Sequence, residues 1–506
     1  MTVRRPAVAW LLTIAAVVVA AAIWLAGSPD ETAPVSGPLT PSVAVSRASI
    51  VLRHRGQKQA EIASERVEVS TDGRQATFTG SPRVVWFEHN QPALTASGRR
   101  IVYDRQSRDV KVEGDLRIST RQGYTLRAPS ATWSQQAQVV ELTGGVEASA
   151  LQAPVPVPPP AGTRSPSPGD AAEGRLRADR VRYDARARVV VATGNVSLIV
   201  RDLEIRADRL RLEQTPQIVT ADGRVAVRQR DAQLTAPALR YSMQDATAEV
   251  TGGAILTQGD VTIRAPRMRF DLREQSTAAH DGVEVTQADA TLTATVLRYQ
   301  GKSGDVVADG GVKVVRGEST LTGRRLVGNL RARQAEVRDD VTLVRGDEIT
   351  VTAGRIVLRW DINEAEAEER VVARQRDRTA WADRLTFSEP GNRLVLVGRV
   401  TLEQSSGGVV TRLTCARLIG RLRERDFQVE GPLRVTQRDR WATGDRGTYT
   451  ETTRRLVMTG NVVVEETEGR RLRADQVTIS LADETFDAEG NVQTEFVIRS
   501  GPTPRP

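Results

Sequence analysis

Between Val189 and Val200 apolar residues fall at every second position: Val190, Ala192, Val196, Leu198 and Val200, with Gly194 on the same parity. Leu394, Leu396, Gly398, Val400 and Leu402 alternate in the same way, as do Leu456, Met458, Gly460, Val462 and Val464. Period two in Val, Leu and Thr predicts strands with one buried face. A glycine in mid-strand weakens packing unless the strand bends there. The segment that follows reads Leu203, Ile205, Ala207, then Leu210 and Leu212. Its parity slips by one after Ala207, which predicts a β-bulge on that strand.

This pair of patterns repeats. One landmark is the glycine two residues before an aliphatic side chain, as in Gly194/Val196, Gly223/Val225, Gly310/Val312, Gly398/Val400 and Gly460/Val462. The other is Ala-x-x-apolar-x-aromatic or aliphatic: "ADRVRY" from Ala178, "ADRLRL" from Ala207, "APALRY" from Ala236, "APRMRF" from Ala265, "ADRLTF" from Ala382. From Val181 to Val196, Leu210 to Val225, Met268 to Val283, Leu297 to Val312 and Leu385 to Val400 the step is always fifteen residues, and the usual return step is fourteen. A fixed period of 29 over most of the chain marks a repeat protein. Turn-rich pieces such as "RQRDA" from Arg228 separate the halves, so neighbouring strands are expected to be antiparallel.

The expected fold is all-β: an elongated, antiparallel, V-shaped β-jellyroll of two-strand repeats. If every strand bends at one height, the apolar rows face each other across a groove. About 28 strands at roughly 4.8 Å would make a rod on the order of 130 Å long. The inward candidates are Val181, Tyr183, Val196, Leu198, Leu210, Val225, Val227, Leu239, Tyr241, Val283, Val312, Val400, Leu402, Val462 and Val464. The residue ending the Ala-x-x half is often aromatic (Tyr103, Trp133, Tyr183, Tyr241, Phe270, Tyr299, Phe387, Tyr449). Two readings stand: a packing ladder between neighbouring strands, or part of the lining of the groove.

The first residues differ from the rest. Arg4 and Arg5 precede an uncharged run from Pro6 to Pro29 that includes Trp10, Leu11, Leu12, Ile14, Ile23 and Trp24. Roughly 20 apolar residues suffice for one transmembrane helix, and the tryptophans lie toward its ends, where interfacial aromatics belong. The positive flank places the N-terminus in the cytoplasm and the bulk of the chain across the membrane. Ser28 stands where a lipoprotein signal needs its cysteine; cleavage after Ala26 is the alternative to an uncleaved anchor.

Composition removes several chemistries. Cys415 is the only cysteine, so no internal disulfide forms. His54, His89 and His280 lie far apart, and no metal site or other cofactor can be argued. The net charge of +8 comes mostly from arginine interspersed with Asp and Glu, without the dense basic stripe of a nucleic-acid binder. The recurrent Asp179, Asp208, Asp383 and Asp475 occupy equivalent positions in separate repeats. They suit turn or bulge chemistry and do not converge on a catalytic centre, so no catalytic residue is expected and the chain does not read as an enzyme.

One segment breaks the period: Ala153 to Gly174 is Pro-rich, and the step from Val146 to Val181 is 35. It reads as a surface loop in one continuous ladder or as a linker between two modules. The expected division is 1–29 anchor, 30–44 linker, 45–150 first module, 151–174 Pro-rich linker or loop, 175–498 long second module, and 499–506 tail.

Anchor, 29-residue strand pairs, "A-D-x-V-x-Y" and "G-N-V" together resemble the OstA-like periplasmic proteins of lipopolysaccharide transport, the LptC/LptA family. The resemblance implies a jellyroll holding acyl chains in its groove, an LptC-like anchored module, and a long LptA-like repeat. It implies as partners lipopolysaccharide, its inner-membrane ABC transporter, and LptA-like or outer-membrane translocon proteins docked through strand edges. Two rival classes are an anchored surface fibre or adhesin, or scaffold, without lipid carriage and a β-helix enzyme acting on polysaccharide.

Overall fold

A computed structural model describes residues 43–495, except 55–56, 89–90, 122, 124, 151–173, 201–202, 347–348, 389–390, 407, 422, 467–468 and 482–484. The anchor, the linker up to residue 42 and the tail lie outside the described residues. Among those described there is no helix long and apolar enough to cross a membrane. They form thirty-four strands, numbered β1 to β34 along the chain, all paired antiparallel.

Five strands are interrupted at mid-length, for example β3 (Gln75–Thr79) with β4 (Arg83–Glu88), and β5 (Gln91–Ser97) with β6 (Arg100–Asp104). Counting each interrupted pair as one bent strand gives twenty-nine, close to the number the period predicts. The chain divides into two compact units, Met1–Ala279 and His280–Pro506. The Pro-rich segment lies inside the first. On its two sides β9 (Val139–Ala150) and β10 (Gly174–Asp184) pair directly, with Ala150 opposite Gly174 and Val139 opposite Asp184. The ladder therefore runs from one side of this segment to the other.

The bend has a defined geometry. In β11 (Val189–Val200) and β12 (Leu203–Glu213), Thr193 faces Arg209 and Val196 faces Ala207, so Gly194 and Asn195 together oppose Asp208 alone. Both are left-handed, with φ of 76° and 47°. Glycine takes this conformation without penalty and Asn tolerates it best among other residues. The extra residue thus sits on the glycine strand, whereas the slip at Ala207 had placed the bulge on its partner. Two successive left-handed residues restore the parity of their own strand, leaving Ala192 and Val196 both buried. The partner crosses the kink one residue short, so Ala207 and Leu210 are both buried and show the slip.

Beneath the kink glycines lies a side chain of the preceding strand. A Cβ on Gly194 would stand 2.9 Å from the Asp179 Cβ, and one on Gly223 2.5 Å from Asp208 Oδ2. The recurrent aspartates therefore clamp the following kink. Asn195 donates to Asp179 at 3.0 Å, Asn461 to Asp445 at 3.0 Å, and Asn491 to Asp475 at 2.9 Å. Arg224 makes a forked bond to Asp208, and Arg399 to Asp383. The guanidinium groups hold both of these carboxyls below their usual range. Where proline replaces the aspartate, at Pro129 and Pro237, it packs on a Gly-Gly kink (Gly144–Gly145, Gly252–Gly253). Aspartate goes with Gly-Asn or Gly-Arg because its carboxylate accepts from their side-chain N–H groups; a proline side chain has no acceptor.

Candidate functional site

Registers across neighbouring strands sort the buried face into four rows. Two border the kink. The first runs Val181–Ala192–Leu210–Ala221–Leu239–Val250–Met268 in the first unit, and Leu297–Ala308–Leu326–Val337–Ile356 in the second. The second row holds Val196 beside Ala207, Val225 beside Ala236, Val312 beside Gly323, Val400 beside Cys415 and Val462 beside Ala474. Large and small side chains alternate from Val181 to Leu239 and from Leu297 to Leu326 in the first row, and in each pair of the second, with the small ones on opposite strands in the two rows. That arrangement fills the inside of a sharp bend: Ala192 is 0% exposed and Val196 2%. Each buried Leu or Val contributes about 1.5–3 kcal/mol relative to exposure.

Two outer rows flank these. One is aromatic on alternate strands: Tyr103, Val110, Trp133, Val140, Tyr183, Val190 and Leu212 face one another in turn. The other includes Leu176, Leu198, Ile205, Val227 and Leu234, and in the second unit Leu402, Leu413, Val435, Ala442 and Val464. All fifteen inward candidates fall on these four rows. Val181, Leu210, Leu239, Val196, Val225, Val283, Val312, Val400 and Val462 line the kink and are buried. Leu198, Val227, Leu402 and Tyr241 are half-buried in the outer rows, with Tyr183 and Val464 there nearly covered. The accessible apolar surface of the face is thus carried by the outer rows.

The ladder reading of the aromatics has direct support: Phe427 and Tyr449 stack at 6.1 Å between centroids, tilted by 33°. Burial raises the Tyr183, Tyr241 and Tyr449 hydroxyls above their ordinary pKa. It also pushes the Cys415 thiol up to about 11, so this cysteine is a packing side chain without thiolate reactivity. Among the described residues no group of His, Cys, Asp and Glu could hold a metal.

The positions expected to line the groove all begin at Val181, yet an open cavity lies earlier. It measures about 60 Å³ and is lined by Val84, Leu94, Ile101, Leu116, Trp133 and Val140, among others. Its lining draws on all four rows, so side chains from both sides of the kink meet across it. Small residues at Ala96, Ser97 and Ala131 leave the space. Their departure from the large members of the pattern was the available signal. Its lining is almost wholly apolar, so it suits an apolar guest.

Comparison with known proteins fits this geometry. Residues 175–276 match the family model described as LptA/(LptD N-terminal domain) LPS transport protein. The OstA-like resemblance thus holds over these residues, and the chain carries a lipopolysaccharide-transport domain of that family there. No curated protein matches the chain. One solved structure that matches is the crystal structure of LptH, the LptA homologous periplasmic component of the conserved lipopolysaccharide transport device from Pseudomonas aeruginosa. It is 14% identical and covers 28% of this chain and 94% of its own; at a TM-score of 0.16 the two do not superpose as wholes.

Proposed function

We propose that the chain is a periplasmic bridge component that shields the acyl chains of lipopolysaccharide along its inner rows. Within each unit the kinked strands form a V-shaped jellyroll, the buried rows closing the bottom of the V and the half-buried outer rows contacting lipid. Each methylene exposed to water costs about 0.8 kcal/mol, so a lipid with several acyl chains crosses an aqueous space only on an apolar track. The observation that carries this reading is an inner face with four apolar rows, filled along the kink and partly accessible in the outer two at Leu198, Ile205, Val227, Tyr241 and Leu402, on a chain whose residues 175–276 match the transport family.

On this reading residues 1–29 anchor the chain in the inner membrane as one helix, and 45–150 is an LptC-like module that receives lipid from the inner-membrane ABC transporter. The long module of 175–498 carries it toward LptA-like or outer-membrane translocon proteins. Strand edges supply the docking sites. Among the described residues β1 (Val43–His54) pairs only with β2 (Gln57–Val69). Likewise β33 (Thr485–Glu489) and β34 (Gln493–Glu495) pair only with β32 (Arg471–Ser480). Open edges invite strand addition, and Val45, Phe486 and Val492 are exposed there.

The test is photocrosslinking to labelled lipopolysaccharide with a photoreactive residue at Leu198 or Leu402, which are inward and half-exposed. Ile255 and Val327, exposed on the opposite face, serve as controls. Crosslinks from the inward pair alone are expected. Crosslinks from the outward positions only would leave a fibre or scaffold without lipid carriage as the better reading.

A further inference from the structure

Beyond the outer aromatic row the alternation continues for one residue past the end of each strand. Four turns of the first unit show it: Ala185 N–H donates to Gln138 O, Gln214 to Arg188 O, Met243 to Gln217 O, and Leu272 to Ala246 O. These residues form a rim beside the aromatic row, and Ala185 and Met243 pack back against the core. In the second unit the same bonds recur, Leu330 N–H to Gly304 O and Trp360 N–H to Arg333 O. Here the rim stands open. Leu330 is 52% exposed and Trp360 40%, with Ile362 on the same turn at 50%.

The aromatic row changes at the same place. In β22 (Ser319–Asn329) and β23 (Gln334–Arg345) its members are Gly328 and Ala335, followed by Leu358 of β24 (Ile349–Arg359) and Ala365 of β25 (Glu364–Gln375). The row is emptied at Gly328, and a large apolar group stands one step out at Leu330; Trp360 lies beyond Leu358, which the row keeps. Packing does not require this, because Gly328 is buried against Val306 and Ala335 without them. Three large apolar groups on adjacent turns form a contiguous exposed patch, which in a soluble surface marks an interaction site. Arginines 331 and 333 lie on the turn between β22 and β23. The Arg331 guanidinium donates to Gly301 O at 2.9 Å, and Arg333 is exposed with no acidic partner among the described residues. An apolar lip with a cation beside it is complementary to the junction between an acyl chain and a phosphate.

We infer that Leu330, Trp360 and Ile362 form a lip on which an acyl chain of the carried lipid rests outside the inner rows, with Arg333 toward its phosphate. This rests on the lipid-carrying function proposed above. The lip widens the apolar track where the row beneath it narrows, so a lipid with more chains than the groove holds keeps its outermost chain covered.

The test uses the full chain in detergent with purified lipid A as probe. A photoreactive residue replaces Trp360 or Leu330, with Leu402 as the inward reference and Val327 as the outward one. Crosslinks to lipid A from 330, 360 and 402 and none from 327 are expected. Trp360→Ser weakens lipid A binding about tenfold, with Ile362→Ser acting in the same direction; both side chains are exposed on one turn, so the fold is kept. Crosslinks from 402 with silence at 330 and 360 overturn the lip and leave the groove standing. Silence at 330, 360 and 402 overturns both. Crosslinks from 360 only to protein, or only to phospholipid vesicles, assign the patch to a partner or a membrane surface and overturn the lip.

Discussion

From Gly174 to Met268 the strands run unbroken for eleven or twelve residues, and Ala192, Ala221, Val250 and Met268 are sealed at the kink. From Arg83 to Val140 the same repeat is looser, with β5 and β6 separate and a cavity between the rows. The two stretches differ in what supports the kink. Asp179 and Asp208 each bond to the left-handed residue above them. At β5 and β6 the break falls at Gly98–Arg99, where the Arg99 N–H bonds to Glu113 O and Gly114 O across the gap. The clamp secures the bend without being required for it, since β8 (Thr125–Ser134) and β14 (Ala232–Ser242) also run unbroken with Pro129 and Pro237 at the equivalent position. The difference also maps onto packing: alternating Leu and Ala fill the bend of the first stretch, while Ala96, Ser97 and Ala131 leave space in the second.

The sharpest way to break this comparison is to add volume. Ala192→Leu overfills the kink and is expected to cost about 1–3 kcal/mol. Ala96→Leu enters the cavity and is expected to change stability by much less while excluding an apolar guest; urea midpoints of the two variants decide. Equal losses would mean that the cavity is no looser than the kink. A smaller difference separates two kink glycines. Gly145 has open space where a Cβ would go, so Gly145→Ala carries only the left-handed penalty of about 1–2 kcal/mol. Gly223→Ala adds a collision with the Asp208 carboxylate and is expected to unfold at lower urea than Gly145→Ala. The smallest effect concerns pH. Arg224 lowers the Asp208 pKa in the fold, so the clamp's contribution is present above the unfolded Asp pKa of about 3.9 and is lost as pH falls through the folded value. Asp208→Asn should lower the urea midpoint slightly at neutral pH and flatten the acid side of the profile, so that the variant and the parent chain converge at low pH.

Much of this was legible in the chain. Period two named strands, period 29 named the repeat, and within each unit the inward candidates lie on the inward parity of their strands. The side of the bulge was not legible. A parity slip at Ala207 is the same whether one strand gains a residue or its neighbour loses one, and only the pairing of Thr193 with Arg209 and of Val196 with Ala207 separates the two. Nor could the chain rank its inward residues. Val196 and Leu198 look alike in sequence, but one sits inside the bend and the other in the outer row, half-exposed.

The sequence by itself determined the all-β class, the repeat and its inward parity, because side-chain alternation is a local consequence of extended backbone. It also carried many of the kinks, since Gly-Asn, Gly-Arg and Gly-Gly in mid-strand suit two successive left-handed residues. The tertiary structure decided which apolar positions are filled and which stay accessible, where the cavity opens, and that β9 joins β10 across the Pro-rich segment. Those depend on side chains meeting across strands far apart in the chain, and no local pattern records that distance.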